Sequence, residues 1–207
     1  AILTWAGNDK RKAGRLASLV AMYSPRTPVG QDLRHALQHY AQWEAGQPIN
    51  AGGTRRQAEY GTKILDGTGH RDYLDQYTLP GDPDNAPKIT SFFKNLMLSI
   101  DPVAYPAESQ DSTIDMWMSH IFGFGSKDGK LSDANYWWAD AEVKRLSNEL
   151  GTAPDQVQAA VWVAIKARSN MVRSLARKQG IDAGWFTRPL APANTREDLM
   201  GKGGRPT

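Results

Sequence analysis

One carboxylate, Asp115, stands between apolar residues in the run Ser112-Thr113-Ile114-Asp115-Met116-Trp117-Met118-Ser119-His120-Ile121. Ile114, Trp117, Met118 and Ile121 recur at i, i+3, i+4 and i+7, the spacing of a core-facing helical stripe. Ser112 or Thr113 suits the cap of that helix, which puts Asp115 in its first turn. An acid placed there is partly withdrawn from water and close to the helix dipole. It serves either as a base or as an anion opposite a developing cation, or it is an ordinary first-turn aspartate. A lysine is the second reactive group. Leu79-Pro80-Gly81 precedes Pro87-Lys88-Ile89-Thr90-Ser91-Phe92. Helix, Gly/Pro-rich turn and helix is one way of offering backbone N–H groups to a phosphate. Lys88 opens the second of these helices. An amine and a carboxylate in one cleft permit Schiff-base chemistry on a sugar aldehyde. A lysine near a helix start is also common without any such role.

The elements that must position these residues read as helical. Asp9 to Tyr23 carries Leu16, Leu19, Val20 and Tyr23, and Ser24-Pro25 ends it. Pro28 to Trp43 places Val29, Leu33, Ala36, Leu37 and Tyr40 on one face. Arg55 to Leu65 is closed by Gly67 and Gly69. Lys88 to Leu98 turns Ile89, Phe92, Phe93 and Leu96 inward. The Asp115 helix reaches about Phe122. Ser132-Asp133 caps a helix running through Trp137, Trp138, Val143 and Leu146 to Leu150, where Gly151 stops it. Thr152 then caps the longest helix, with Pro154 in its first turn. Val157, Val161, Ala164 and Ile165 form its apolar face, continued by Val172, Leu175 and Ala176. No alternating strand-length run flanked by hairpin turns is present. The expected class is all-α, with a single helical domain over 1–187 and a flexible basic tail over 188–207.

Composition narrows the chemistry. The chain has 207 residues, 40% hydrophobic and 23% charged, which is globular. No apolar run approaches membrane-spanning length, so no membrane partner is expected, and the expected location is the cytoplasm. With no cysteine, disulfides, cysteine-ligated zinc and iron–sulfur clusters are excluded. His35 and His39 lie at i, i+4, a spacing that binds metal, but no HExxH-type acid accompanies them. They read as a solvated face, and neither a metal nor another cofactor is expected. Net charge is +3 but uneven: residues 1–143 hold 14 Lys+Arg against 17 Asp+Glu, and residues 144–207 hold 11 against 5. A basic C-terminal third suits an anionic partner, most simply nucleic acid, and is equally a solvated basic helix and tail.

Taken in order, Leu79-Pro80-Gly81, Lys88 opening a helix, and Thr113-Ile114-Asp115-Met116-Trp117 opening another resemble the helix-hairpin-helix DNA glycosylase superfamily. That resemblance covers roughly residues 75–125. It implies a two-lobed helical fold, a hairpin whose amides hold a phosphate, and a base flipped out of the duplex. By position, Lys88 matches the nucleophilic lysine of the bifunctional members and Asp115 their catalytic aspartate. Trp117 replaces the usual histidine. The second hairpin glycine is missing, and Asp82 to Ala86 is inserted in the turn. Met22-Tyr23-Ser24-Pro25, Lys88-Ile89-x-Ser91-Phe92-x-x-Asn95-Leu96 and Gln158-Ala159-Ala160-x-Trp162 also resemble glycosylase-like domains of phages and of multi-domain proteins of mobile elements. Ala1 in place of an initiator methionine fits a piece of such a protein, and a phage origin would put it in the host cytoplasm.

The expected activity is therefore that of a DNA-binding protein acting on an extruded base, by N-glycosidic cleavage with or without lyase activity. Two alternatives stand beside it: modification of a nucleobase in phage DNA on the same fold, and a non-catalytic DNA-binding module in which Asp115 only caps a helix. Asp115 and Lys88 are the expected catalytic residues. Trp117, Trp138 and Asn95 are the candidate walls of a base pocket, since aromatic faces can sandwich a flipped base. Trp137 and Trp162 read as core. Gly81, Arg55, Arg56, Arg168, Arg173 and Lys178 are the candidate DNA contacts. The expected partner is double-stranded DNA, bound by a monomer or by a domain of a larger protein.

Overall fold

The computed structural model describes residues 1–25, 27, 30–67, 87–106, 111–122, 124 and 131–180. All regular structure among them is helical: α1 (Ile2–Trp5), α2 (Lys10–Tyr23), α3 (Gln31–Glu44), α4 (Arg55–Asp66), α5 (Pro87–Leu98), α6 (Met116–Ile121), α7 (Asp133–Leu150) and α8 (Pro154–Gln179). The chain divides into two compact units, Ala1–Asp111 and Ser112–Thr207. The expected all-α class is observed. Leu79-Pro80-Gly81, Asp82 to Ala86 and the tail over 188–207 lie outside the described residues.

In the first unit α2 is the central element. It is buried on every side from Leu16 to Tyr23, as a helix without a polar face must be. Its N-terminus is fixed by Asp9, whose Oδ1 accepts from the backbone N–H groups of Arg11 (2.8 Å) and Lys12 (3.0 Å). One side of α2 packs Ala13, Ala17, Ala21 and Met22 against Ile64, Phe93 and Met97. The other packs Leu16, Leu19, Val20 and Tyr23 against Ala36, Tyr40 and Leu65. Helix α4 starts in a reciprocal capping box between Thr54 and Gln57 and stops at Gly67, whose φ of 64° suits glycine. The Gln57 amide also donates to the Met22 carbonyl at 3.0 Å, closing an α2 C-terminal group that would otherwise be unmet.

Three sequence expectations change in this unit, and one helix, α1, is new. Leu33 is 41% exposed, because the buried side of α3 is set by Ala36, His39 and Tyr40. Helix α3 begins at Gln31, behind Gly30 at φ 92°, and Pro28 and Val29 lie outside the described residues. The short α1 has no polar–apolar alternation long enough to announce it. His39 is fully buried, not part of a solvated face. Its Nδ1 lies 2.8 Å from the Tyr23 hydroxyl and its Nε2 lies 3.2 Å from Thr62 Oγ1. Thr62 donates its own proton to the Ala58 carbonyl at 3.0 Å. Its oxygen therefore accepts from Nε2–H, which leaves Nδ1 to accept from Tyr23. Every proton in this chain of groups is placed, which is how a polar cluster survives in an apolar core.

The second unit is built on α6, α7 and α8 around Ile114, Met118, Phe124, Tyr136, Ala139, Val143 and Val157. Ser132 caps α7, its Oγ accepting from Asn135 N–H at 3.2 Å, and Gly151 ends α7 at φ 62°. Thr152 does not cap α8. It lies two residues before Pro154, and its hydroxyl meets Gln156 Oε1 at 2.6 Å. Ala164 and Leu175 of the expected apolar face are exposed, Leu175 by 49%. Leu150 is also exposed, so α7 loses its cover before its last residue.

Candidate functional site

The residues that carry Asp115 into place come from α7. The segment before α6 is held to α7 by two buried side chains. The Tyr136 hydroxyl donates to the Ser112 carbonyl at 2.9 Å and accepts from Ile114 N–H at 3.3 Å. Asp140 Oδ1 accepts from Ser112 N–H at 2.6 Å, while its Oδ2 pairs with Lys144 Nζ at 2.7 Å. Asp140 is nearly inaccessible, so removing a partner from it would leave a buried charge uncompensated.

Asp115 is the residue before α6, not a residue of its first turn, and neither Ser112 nor Thr113 caps that helix. Asp115 itself is the cap. Its Oδ1 accepts from Trp117 N–H at 2.9 Å and from Met118 N–H at 3.0 Å. A short acidic side chain directly before the helix reaches those two amides better than a serine three residues earlier. The other carboxylate oxygen, Oδ2, accepts from the indole Nε1–H of Trp162 at 2.9 Å. Three N–H donors thus fix both oxygens of a half-buried carboxylate. Charge-assisted bonds of this kind contribute about 1.5–3 kcal/mol each where water is excluded.

Trp162 was expected in the core, and the structure gives it this polar task instead. It is half-buried on α8, with the Lys166 ammonium over its ring, 4.2 Å from the centroid. A cation so placed gains about 0.5–1 kcal/mol at an exposed site. Carboxylate, indole and ammonium therefore form one chain of contacts within the second unit. The sequence held a partial signal for this group: Trp162 is the one aromatic residue in Gln158-Ala159-Ala160-x-Trp162, and Lys166 follows it by four.

The other expected site residues are distributed as follows. Trp117 is half-buried beside Asp115, to which its backbone N–H donates. Trp138 stands edge-on to Phe122 (5.6 Å) and Phe124 (5.2 Å), as part of the second unit's apolar cluster. A hollow of about 140 Å³ in this unit is lined by Met118, Ile121, Phe122, Val143, Val157 and Val161 among others, and by neither Trp117 nor Trp138. Arg168 and Lys178 are exposed on α8. Arg173 lies on α8 as well, but its side chain is outside what the structure describes. Gly81 is outside the described residues altogether.

Lys88, Asn95, Arg55 and Arg56 belong to the first unit. Lys88 is the second residue of α5 and half-buried, behind Pro87 at the helix start. Asn95 donates to the Asp111 carbonyl at 2.9 Å, and Lys94 pairs with the Asp111 carboxylate at 3.0 Å. Both tie the end of the first unit to α5. Arg55 is exposed and pairs with Glu59 at 2.7 Å, one turn on, and Arg56 lies over the Tyr60 ring at 5.3 Å. Among the described residues no group of three His, Asp or Glu side chains could hold a metal ion, and no helix is long and apolar enough to cross a membrane.

The chain belongs to a family of unknown function, DUF7178, whose model matches residues 3–169. That span runs from Leu3 in α1 through α7 to Ser169 in α8, and so includes Lys88, Asp115, Trp162 and Lys166. No curated protein and no solved structure matches the chain.

Proposed function

We propose that this protein binds DNA and acts on an extruded nucleotide, with Asp115 as a fixed anion opposite the positive charge that develops on the sugar. One observation carries the reading: the Asp115 carboxylate is held by Trp117 N–H, Met118 N–H and Trp162 Nε1–H, on helices and not on a loop. A charge preorganised in this way needs no reorganisation when the reaction occurs. The same three donors occupy the oxygens that a general base would turn toward its substrate, so electrostatic stabilisation is the role that fits.

In this reaction the bond between C1′ and the base nitrogen breaks and its electron pair leaves with the base, which takes up a proton. The sugar becomes oxocarbenium-like, and Asp115 offsets its charge. In a monofunctional enzyme water adds to C1′ and loses a proton. In a bifunctional one a lysine amine adds instead, the role that the resemblance to the helix-hairpin-helix glycosylases implies for Lys88, and the imine that follows can be reduced by borohydride. The order of Lys88 and Asp115 along the chain and their resemblance to the helix-hairpin-helix glycosylases support this assignment. Exposed Arg168 and Lys178 supply cations suited to phosphates.

A second reading is a non-catalytic DNA-binding module, and the capping bonds of Asp115 Oδ1 favour it. Duplexes carrying a panel of damaged and modified bases, incubated with borohydride, separate the two. The enzyme reading expects release of at least one base, and a covalent adduct that is lost in Lys88→Gln if the enzyme is bifunctional. DNA binding with no release from any substrate leaves the module.

A further inference from the structure

A nucleotide offers three chemically different parts: an anionic phosphate, a sugar that can become cationic, and an aromatic base. The second unit brings together one side chain suited to each. Lys166 supplies an ammonium, Asp115 a carboxylate and Trp162 an indole ring. They touch in sequence, Lys166 on the ring face at 4.2 Å and Asp115 on the ring's N–H at 2.9 Å. Among the described residues Lys166 has no carboxylate within ion-pairing range, whereas Lys144 on the neighbouring α7 is paired. A second observation points the same way. Ser169 follows Trp162 and Lys166 on α8 at i+7 and i+3, on the same side of the helix. It is 9% exposed, and among the described residues its buried hydroxyl has no hydrogen-bond partner. An unmet buried hydroxyl is costly and rare, and a ligand oxygen would satisfy it.

We propose that Lys166, Trp162 and Asp115, with Ser169 beside them, form a nucleotide-docking site contained in the second unit, in which Lys166 takes the phosphate and the Trp162 ring lies against the base or sugar. The inference rests on the DNA reading above for its choice of ligand. It does not depend on Lys88 or on any residue of the first unit.

Thymidine 5′-monophosphate, titrated by equilibrium dialysis at low salt, is the direct probe. The parent protein binds it, and Lys166→Gln weakens binding by about tenfold, the loss expected for one charge-assisted phosphate contact. Trp162→Leu removes binding. Lys63→Gln leaves it unchanged, although Lys63 also lies over an aromatic ring, that of Tyr60 at 5.2 Å. Thymidine without its phosphate binds the parent and Lys166→Gln alike, and inorganic phosphate at equal concentration competes poorly. Equal affinity of the parent and Lys166→Gln for the monophosphate overturns the site, as does complete displacement by inorganic phosphate. Lys166 is a half-exposed helix residue, so its variant folds even if Trp162→Leu does not. Duplex binding measured in parallel keeps the two claims apart. Duplex bound with no Lys166 effect on the monophosphate sinks the docking site alone. Monophosphate bound through Lys166 with no duplex binding sinks the DNA reading alone.

Discussion

The indole N–H of Trp162 donates to the carboxylate of Asp115 at 2.9 Å, across 47 positions of sequence. That bond joins α8 to the start of α6 and turns a helix cap into a fixed charge. Its removal separates structure from chemistry. Trp162→Phe keeps an aromatic ring, though a smaller one, and deletes the donor, which should cost about 1.5–3 kcal/mol in denaturant unfolding beyond the lost packing. A loss no larger than that of Trp137→Phe would show that the Trp162 bond contributes nothing specific.

The lead-in to Asp115 should be sensitive at Tyr136. Its hydroxyl serves both Ser112 C=O and Ile114 N–H, and all three are buried. Tyr136→Phe removes a donor from the Ser112 carbonyl and an acceptor from Ile114 N–H, which keep only their own 3.1 Å bond to each other, at about 0.5–1.5 kcal/mol. Amide exchange at Ile114 should quicken in the variant, and unchanged protection there would contradict the assigned bond.

Gly61 sets two backbone effects against each other. Alanine gains about 1 kcal/mol in helix propensity. A Cβ at Gly61, however, would lie 2.7 Å from His39 Cε1 and 2.9 Å from Leu19 Cδ2, both in the core. Overpacking of that kind costs about 1–3 kcal/mol. Gly61→Ala should therefore lower the unfolding midpoint, and a raised midpoint would mean the imidazole yields freely.

Burial lowers His39 from 6.5 to about 4, against a smaller upward pull from Asp66. A histidine whose folded value is depressed stabilises the fold in its neutral form. That contribution is complete above about pH 6.5 and is lost as pH falls toward 4. It amounts to about 3 kcal/mol over the window. His39→Gln should flatten the unfolding free energy between pH 6.5 and 4 relative to the parent. Parallel curves would place the acid sensitivity elsewhere.

How far the sequence reached differs from residue to residue. Asp9, Ser132, Gly67 and Gly151 announced helix ends, because capping chemistry is local. Periodicity marked α2 and α5 for the same reason. It did not tell which side of α3 is covered, so Leu33 was turned inward and His39 outward. Residue type alone made His39 look solvated, whereas Tyr23 and Thr62, distant in sequence, supply the partners that let it be buried. Asp115 was legible as a special acid but not as its own helix cap. Trp162 reads as core because its apolar surface outweighs one N–H in any pattern, and only the fold brings that N–H to a carboxylate.

Binding to DNA, if phosphate contacts dominate, should weaken with salt at a logarithmic slope of about −0.9 for each phosphate neutralised. Charge reversal at Arg168 and Lys178 should reduce both affinity and slope on all sequences alike. A slope indistinguishable from zero would exclude a phosphate-led interface.

The most direct measurement is single-turnover base release by the parent and by Asp115→Asn on the panel of modified duplexes. Asparagine can still cap α6 through its one amide oxygen, but its NH2 then faces the Trp162 N–H and that bond is lost, so the variant should unfold about as readily as Trp162→Phe while folding and DNA binding persist. Loss of the fixed anion should slow release of the susceptible base by about a hundredfold or more, the scale seen when one preorganised electrostatic group is removed. Release by Asp115→Asn at the parent's rate, or no release by the parent from any duplex, would reduce Asp115 to a helix cap and contradict the account.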